Sequence, residues 1–111
     1  MRVQIRRHHI DRCKELDQQI LRHMYFALGR FSNDVRSAGV HLTDTNGPRG
    51  GADKECRILV NMRSWDPVLI REIDVQIHAA VARPAERAGR AVARQISLRR
   101  DGNGNGSRRG R

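Results

Sequence analysis

Aromatic side chains are scarce in this chain, with one Trp, one Tyr and two Phe among 111 residues. The core must therefore be aliphatic, and reading single-stranded bases by aromatic stacking is not expected. Long apolar runs are missing too: none approaches the roughly 18 residues that a membrane span needs. The N-terminal stretch MRVQIRRHHIDR lacks an apolar signal core. Neither export nor membrane insertion is expected, and the chain reads as cytoplasmic. The only cysteines are Cys13 and Cys56. In that compartment they are expected as reduced thiols, both on the core faces of their elements by periodicity.

Histidine and acidic residues form no catalytic pattern. His8, His9, His23, His41 and His78 are scattered, and no H-x-x-x-H or H-E-x-x-H spacing occurs. A metal site, a cofactor, a small-molecule substrate and an enzymatic role are accordingly not expected.

Positive charge is what the chain has in excess. Twenty-two basic residues stand against 12 acidic ones, a formal net charge of +10, and only Lys14 and Lys54 among them are lysine. Arginine presents a planar fork that meets phosphate oxygens two at a time and stacks on bases. Nucleic acid is the expected polyanion, ahead of an anionic membrane surface.

One domain is the natural count for this length. Residues 2–7 alternate, with Val3 and Ile5 on one side of a short strand. Asp11 is placed to cap a helix over 12–31, whose apolar face is Cys13, Leu16, Ile20, Met24, Ala27 and Phe31. Residues 35–43 read as a strand with Ala38, Val40 and Leu42 inward. In residues 54–63, Cys56, Ile58, Val60 and Met62 face in, Arg57, Asn61 and Arg63 face out, and Leu59 breaks the pattern. Ser64 to Pro67 make a turn, and 68–73 form a last strand. Asp74 is placed to cap a second helix with the apolar stripe Ile77, Val81, Ala85, Ala88, Val92 and Ile96. Pro84 falls inside it and predicts a kink or break near 80–84. Gly89 lowers helix propensity or lets the helix sit close to the sheet. From Asp101 the chain is Gly- and Arg-rich without apolar residues and is expected to be disordered. The order is β-α-β-β-β-α, an α+β domain of two layers over 1–98 followed by a disordered tail over 99–111.

Two features carry the functional reading. Arg83, Arg87, Arg90 and Arg94 recur at spacings of 4, 3 and 4, so they fall within about 60° on the second helix, opposite its apolar stripe. Only Glu86 lies between them. Like charges at such spacing repel, and a phosphate backbone supplies the missing counter-charge. Arg99 and Arg100 extend the run. The second feature is the loop TDTNGPRGGADKE at 43–55. It fails the Walker pattern, which needs Gly and Lys where Ala52 and Asp53 stand, and a strand follows it instead of a helix. Asn46-Gly47, Pro48 and Gly50-Gly51 instead build a shaped hairpin loop with Arg49 near its tip. Arg49, Lys54 and Arg57 form a candidate second patch, and Arg6 and Arg7 are further candidates.

The element order, the loop D-x-N-G-P-R-G-G-x-D-K-x-C at 44–56 and the helix segment A-A-V-x-R-x-A-E-R-A-G-R at 79–90 together resemble the ribosome hibernation-promoting factor family, also called ribosome-associated inhibitor A or sigma-54 modulation protein. The similarity covers about residues 2–98. It implies a four-stranded sheet with two helices packed on one face. It implies binding to the small ribosomal subunit and its rRNA in the decoding channel, and translation silenced sterically in starvation or stationary phase. The family's basic helix face corresponds to Arg83, Arg87, Arg90 and Arg94. A mixed-charge first helix, His78 where a Tyr is common, and Pro84 depart from the family pattern. A C-terminal dimerisation domain is not expected. A general RNA- or DNA-binding stress protein of the same fold, or a regulatory module docking an acidic partner, are the alternative readings.

Overall fold

A computed structural model describes residues 1–45 and 53–104; residues 46–52 and 105–111 lie outside the described residues, as do the side chains of His78 and of 99–104. The elements run β1 (Arg2–His8), α1 (Lys14–Leu28), a short 3-10 turn (Gly29–Phe31), β2 (Val35–Asp44), β3 (Lys54–Met62), β4 (Val68–Asp74) and α2 (Ile77–Gly104). The four strands form one sheet in the order β1-β2-β3-β4. β1 runs parallel to β2, and the other two pairings are antiparallel. A parallel neighbour cannot be reached by a tight turn, and α1 provides the crossover.

Both helices cover one face of the sheet. Ala38, Val40 and Leu42 of β2 and Cys56, Ile58, Val60 and Met62 of β3 are buried beneath Leu16, Ile20, Met24 and Leu28 of α1 and Val81, Ala85, Ala88, Val92 and Ile96 of α2. The period-2 pattern of the strands and the 3.6-period pattern of the helices thus converge on one aliphatic core. The other face of the sheet is open to solvent.

Several local expectations are corrected. α1 begins at Lys14, and its N-cap is Cys13 in extended geometry (φ −140°, ψ 121°) with no side-chain cap. Asp11 is therefore not the cap. Cys13 has left the helical phase and is exposed, not buried. Asp74 lies at the end of β4, where its Oδ1 accepts the Gln76 amide at 3.2 Å just before α2 begins. α2 is unbroken through the buried Pro84. Proline inside a helix costs about 3 kcal/mol. The stripe that stays in phase across it, from Val81 to Ile96, buries several aliphatic side chains at about 1.5–3 kcal/mol for each large one. α2 also continues to Gly104, past the expected end of the domain. Among the described residues no helix is long and apolar enough to cross a membrane.

Candidate nucleic-acid interface

α2 presents its arginines in one line on the side away from its buried stripe. The side chains of Arg83, Arg87 and Arg90 are 60%, 42% and 64% exposed, and Arg94 is exposed as well. From Arg83 to Arg94 the line covers about 16 Å of helix axis. Arg99 and Arg100 continue along α2.

The line is less bare than the sequence suggests. β4 ends with Glu72 and Asp74 on the helix-covered face, past the apolar part of the core. Arg83 Nη1 lies 3.4 Å from Glu72 Oε1 and 3.7 Å from Asp74 Oδ2. Arg87 Nη1 donates to Glu72 Oε2 at 2.6 Å and to the Arg71 carbonyl at 3.3 Å. Arg90 Nη1 is 3.6 Å from Glu86, whereas Arg94 has no ion-pair partner among the described residues. The arginine ends of these pairs are open to solvent and screened, although the Glu72 and Asp74 carboxylates are only 13% and 21% exposed, so a phosphate can compete for the arginines from the solvent side. The two carboxylates of β4 thus anchor Arg83 and Arg87 while their guanidinium groups stay exposed.

Between α1 and α2 runs a groove of about 830 Å³, lined by His23, Phe26, Arg30, Arg83, Glu86 and Arg90 among others. Its floor is tight because of Gly89: a Cβ there would come within 2.8 Å of the Ala27 carbonyl oxygen. Gly89 thus lets α2 approach α1, not the sheet. On the α1 side Phe26 is 91% exposed and Tyr25 half exposed. Two of the four aromatics are thus exposed, which removes the ground on which base stacking was not expected. The signal was in the sequence, since a buried stripe of Leu16, Ile20, Met24 and Leu28 leaves 25 and 26 pointing outward.

Lys54 serves the neck of the β2–β3 loop. Its ammonium bonds Asp53 Oδ1 at 2.9 Å and lies 3.2 Å from Asp44 Oδ2. Asp53 is buried, and its carbonyl accepts both the amide and the hydroxyl of Thr45, at 2.9 and 3.1 Å. The hydrogen bond to Asp53, more than any other contact, raises Lys54 above its ordinary pKa. Arg49 falls outside the described residues. Next along β3, burial pushes the Cys56 thiol up to about 12, with the Glu72 and Glu55 carboxylates adding to the effect. That thiol is neutral at physiological pH and has no nucleophilic character.

Arg57 lies further along β3 than Lys54, and the further candidates Arg6 and Arg7 lie on β1. Arg7 lies on the helix-covered side and pairs with Asp17 of α1. Arg6 and Arg57 share a row on the open face, where strand register sets Arg6 opposite His41, His41 opposite Arg57, and Arg57 opposite Arg71. Arg57 Nη2 lies 3.4 Å from His41 Nδ1, and Arg71 pairs with Glu55. The adjacent row reads Gln4, Gly39, Leu59 and Leu69. Among the described residues no group of three or more His, Cys, Asp or Glu stands where it can hold a metal ion.

No family model matches the chain, and no curated protein matches it in sequence. Its fold is found in solved structures. The N-terminal domain of Thermus thermophilus Protein Y superposes with a TM-score of 0.71 at 17% identity, over 85% of this chain and 98% of that one. A ribosomal subunit interface protein from Coxiella burnetii superposes with a TM-score of 0.71 at 9% identity, over 87% of this chain and 99% of that one.

Proposed function

From a fold shared with a protein of the ribosomal subunit interface, we propose that this chain is a cytoplasmic ribosome-binding factor of the hibernation-promoting kind. In this reading it occupies the decoding channel of the small subunit and silences translation by excluding messenger and transfer RNA. It performs no chemistry. The observation that carries the reading is the line Arg83, Arg87, Arg90 and Arg94, exposed on one face of α2, in a domain with this fold. The arginines meet rRNA phosphates and fix the protein on the backbone, while the shape of the two-helix layer selects the site. Lys54 acts indirectly, by shaping the neck from which Arg49 is carried.

The test is sedimentation of the purified protein with ribosomes through sucrose gradients at low and near-physiological salt. Retention on the small subunit at the higher salt, lost when messenger and transfer RNA are bound first, is the expected result. Binding at low salt alone, or equal binding to any RNA, sinks the ribosome-specific part of the reading. The second reading, a general RNA-binding protein, is favoured by Phe26 standing exposed in an arginine-lined groove, a device for unpaired bases anywhere.

A further inference from the structure

The open face of the sheet carries a charge arrangement that the fold does not require. Arg6, His41, Arg57 and Arg71 stand directly opposite one another across all four strands, about 14 Å from end to end at the usual strand spacing. Like charges placed directly opposite destabilise a sheet. Glu55 offsets only Arg71, and among the described residues Arg6 and Arg57 have no ion-pair partner. Beside this row lies a hollow of about 280 Å³, lined by Gln4, Arg6, Gly39, Arg57, Leu59 and Leu69 among others. Gly39 makes the hollow: a Cβ there would meet nothing within 4 Å. Leu59 and Leu69 face each other in register and are 41% and 64% exposed.

We propose that this face is a second RNA site, which takes an unpaired nucleotide with its base in the hollow over Gly39 and its neighbouring phosphates on the Arg6–His41–Arg57–Arg71 row. A base is flat and covers the two leucines, and the Gln4 amide can both donate to and accept from its edge. A duplex keeps its bases stacked inside and leaves the leucines in water. A second copy of this chain would set one arginine row against another. An acidic peptide satisfies the row but leaves the hollow empty. The face lies on the opposite side of the sheet from the α2 line, so the site stands independently of ribosome binding by that line. Together the two faces would hold two RNA segments at once.

The experiment measures fluorescence anisotropy of a labelled oligouridylate of about eight nucleotides, within the usual footprint of single-strand sites, and of an RNA hairpin of similar length, across a salt series. Arg6→Gln/Arg57→Gln is expected to weaken single-strand binding about tenfold or more and to flatten its salt slope by about 1.4, as two lost phosphate contacts require. Gly39→Val fills the hollow and is expected to weaken the same binding severalfold with the slope unchanged. Leu69→Ser, at a mostly exposed edge-strand position, reads the same hollow should Gly39→Val disturb folding. Arg90→Gln/Arg94→Gln, on the other face, should lower affinity on its own account, and its loss should add to that of Arg6→Gln/Arg57→Gln in the combined variant, as two separate sites require. The proposal is overturned if the sheet variants bind like wild type, or if the α2 variant alone abolishes oligonucleotide binding. Equal competition by polyglutamate with no effect of the hollow variants also overturns it, and assigns the face to an acidic polypeptide.

Discussion

Gly89 of α2 sits against the backbone of Ala27 in α1, so close that an added methyl group would stand 2.8 Å from the Ala27 carbonyl oxygen. Glycine costs a helix interior about 0.5–1 kcal/mol relative to alanine, yet here it sets the distance between the two helices and hence the width of the groove beside Phe26. Gly89→Ala should lower stability by about 1–3 kcal/mol, because the overpacked backbone outweighs the gain in helix propensity. Urea unfolding checks this, with Gly39→Ala as the partner variant: open space at Gly39 predicts no loss. A stabilised Gly89→Ala would mean that the helices are not in contact there.

The arginine line predicts a charge effect separable from folding. Arg90→Glu/Arg94→Glu lies outside the pairs with Glu72, so cooperative melting should be kept. Cosedimentation with ribosomes should fall about tenfold or more, with a salt slope shallower by about two. Unchanged binding would reduce the line to a solvated surface.

Glu72 predicts the opposite change. It holds both Arg83 and Arg87, so Glu72→Gln removes a competitor of phosphate and should tighten RNA binding severalfold, while costing the fold about 1–2 kcal/mol because the carboxylate is mostly covered. Filter binding of the variant beside wild type decides. Weaker binding would show that the pairs orient the arginines more than they compete for them.

The two thiols should behave differently. Cys13 is exposed and Cys56 buried, so an alkylating reagent at neutral pH should modify one cysteine quickly and the other only on unfolding. Mass spectrometry of the pulse-labelled protein counts them. Cys56 also gives a pH prediction. Its thiol ionises at about 12 in the fold against an ordinary 9.0, so the folded state holds a proton that the unfolded chain releases. Stability is fully present below pH 9.0 and falls as pH rises toward 12. Lys54, raised above 10.5, adds a loss of the same sign above that value. Cys56→Val should therefore keep more of its neutral-pH stability at high pH than wild type, as read by urea midpoints.

The α+β order and the inward residues of β2 and β3 were legible because strand periodicity is local: Cys56, Ile58, Val60 and Met62 alternate within one run of chain, and all four are buried. The phase of α2 was legible for the same reason, even through Pro84. What stayed hidden depends on partners distant in sequence. Nothing near Arg83 announces Glu72 across the helix–sheet contact. Nothing near Arg6 announces Arg57, since only the pairings through His41 bring them into one row. Cys13 was misplaced because the helical phase was extended one residue too far. Phe26 was passed over because a small total of aromatics says nothing about where each one points.

The single parallel pairing has a consequence for the order in which this surface comes into being. β2, β3 and β4 are neighbours along the chain and close as a meander through short connections. β1 joins only after α1 has crossed over, with Arg2 brought to Ser37, and closing that longer loop carries the greater entropic cost. β1, made before the three strands of the meander, is therefore expected to dock after them, as folding kinetics of the separate strands would show. Until it docks, the row on the open face ends at His41, and Arg6 is not yet part of it. Affinity for an unpaired nucleotide would then register whether the domain has finished folding, a proofreading of the protein by its own ligand.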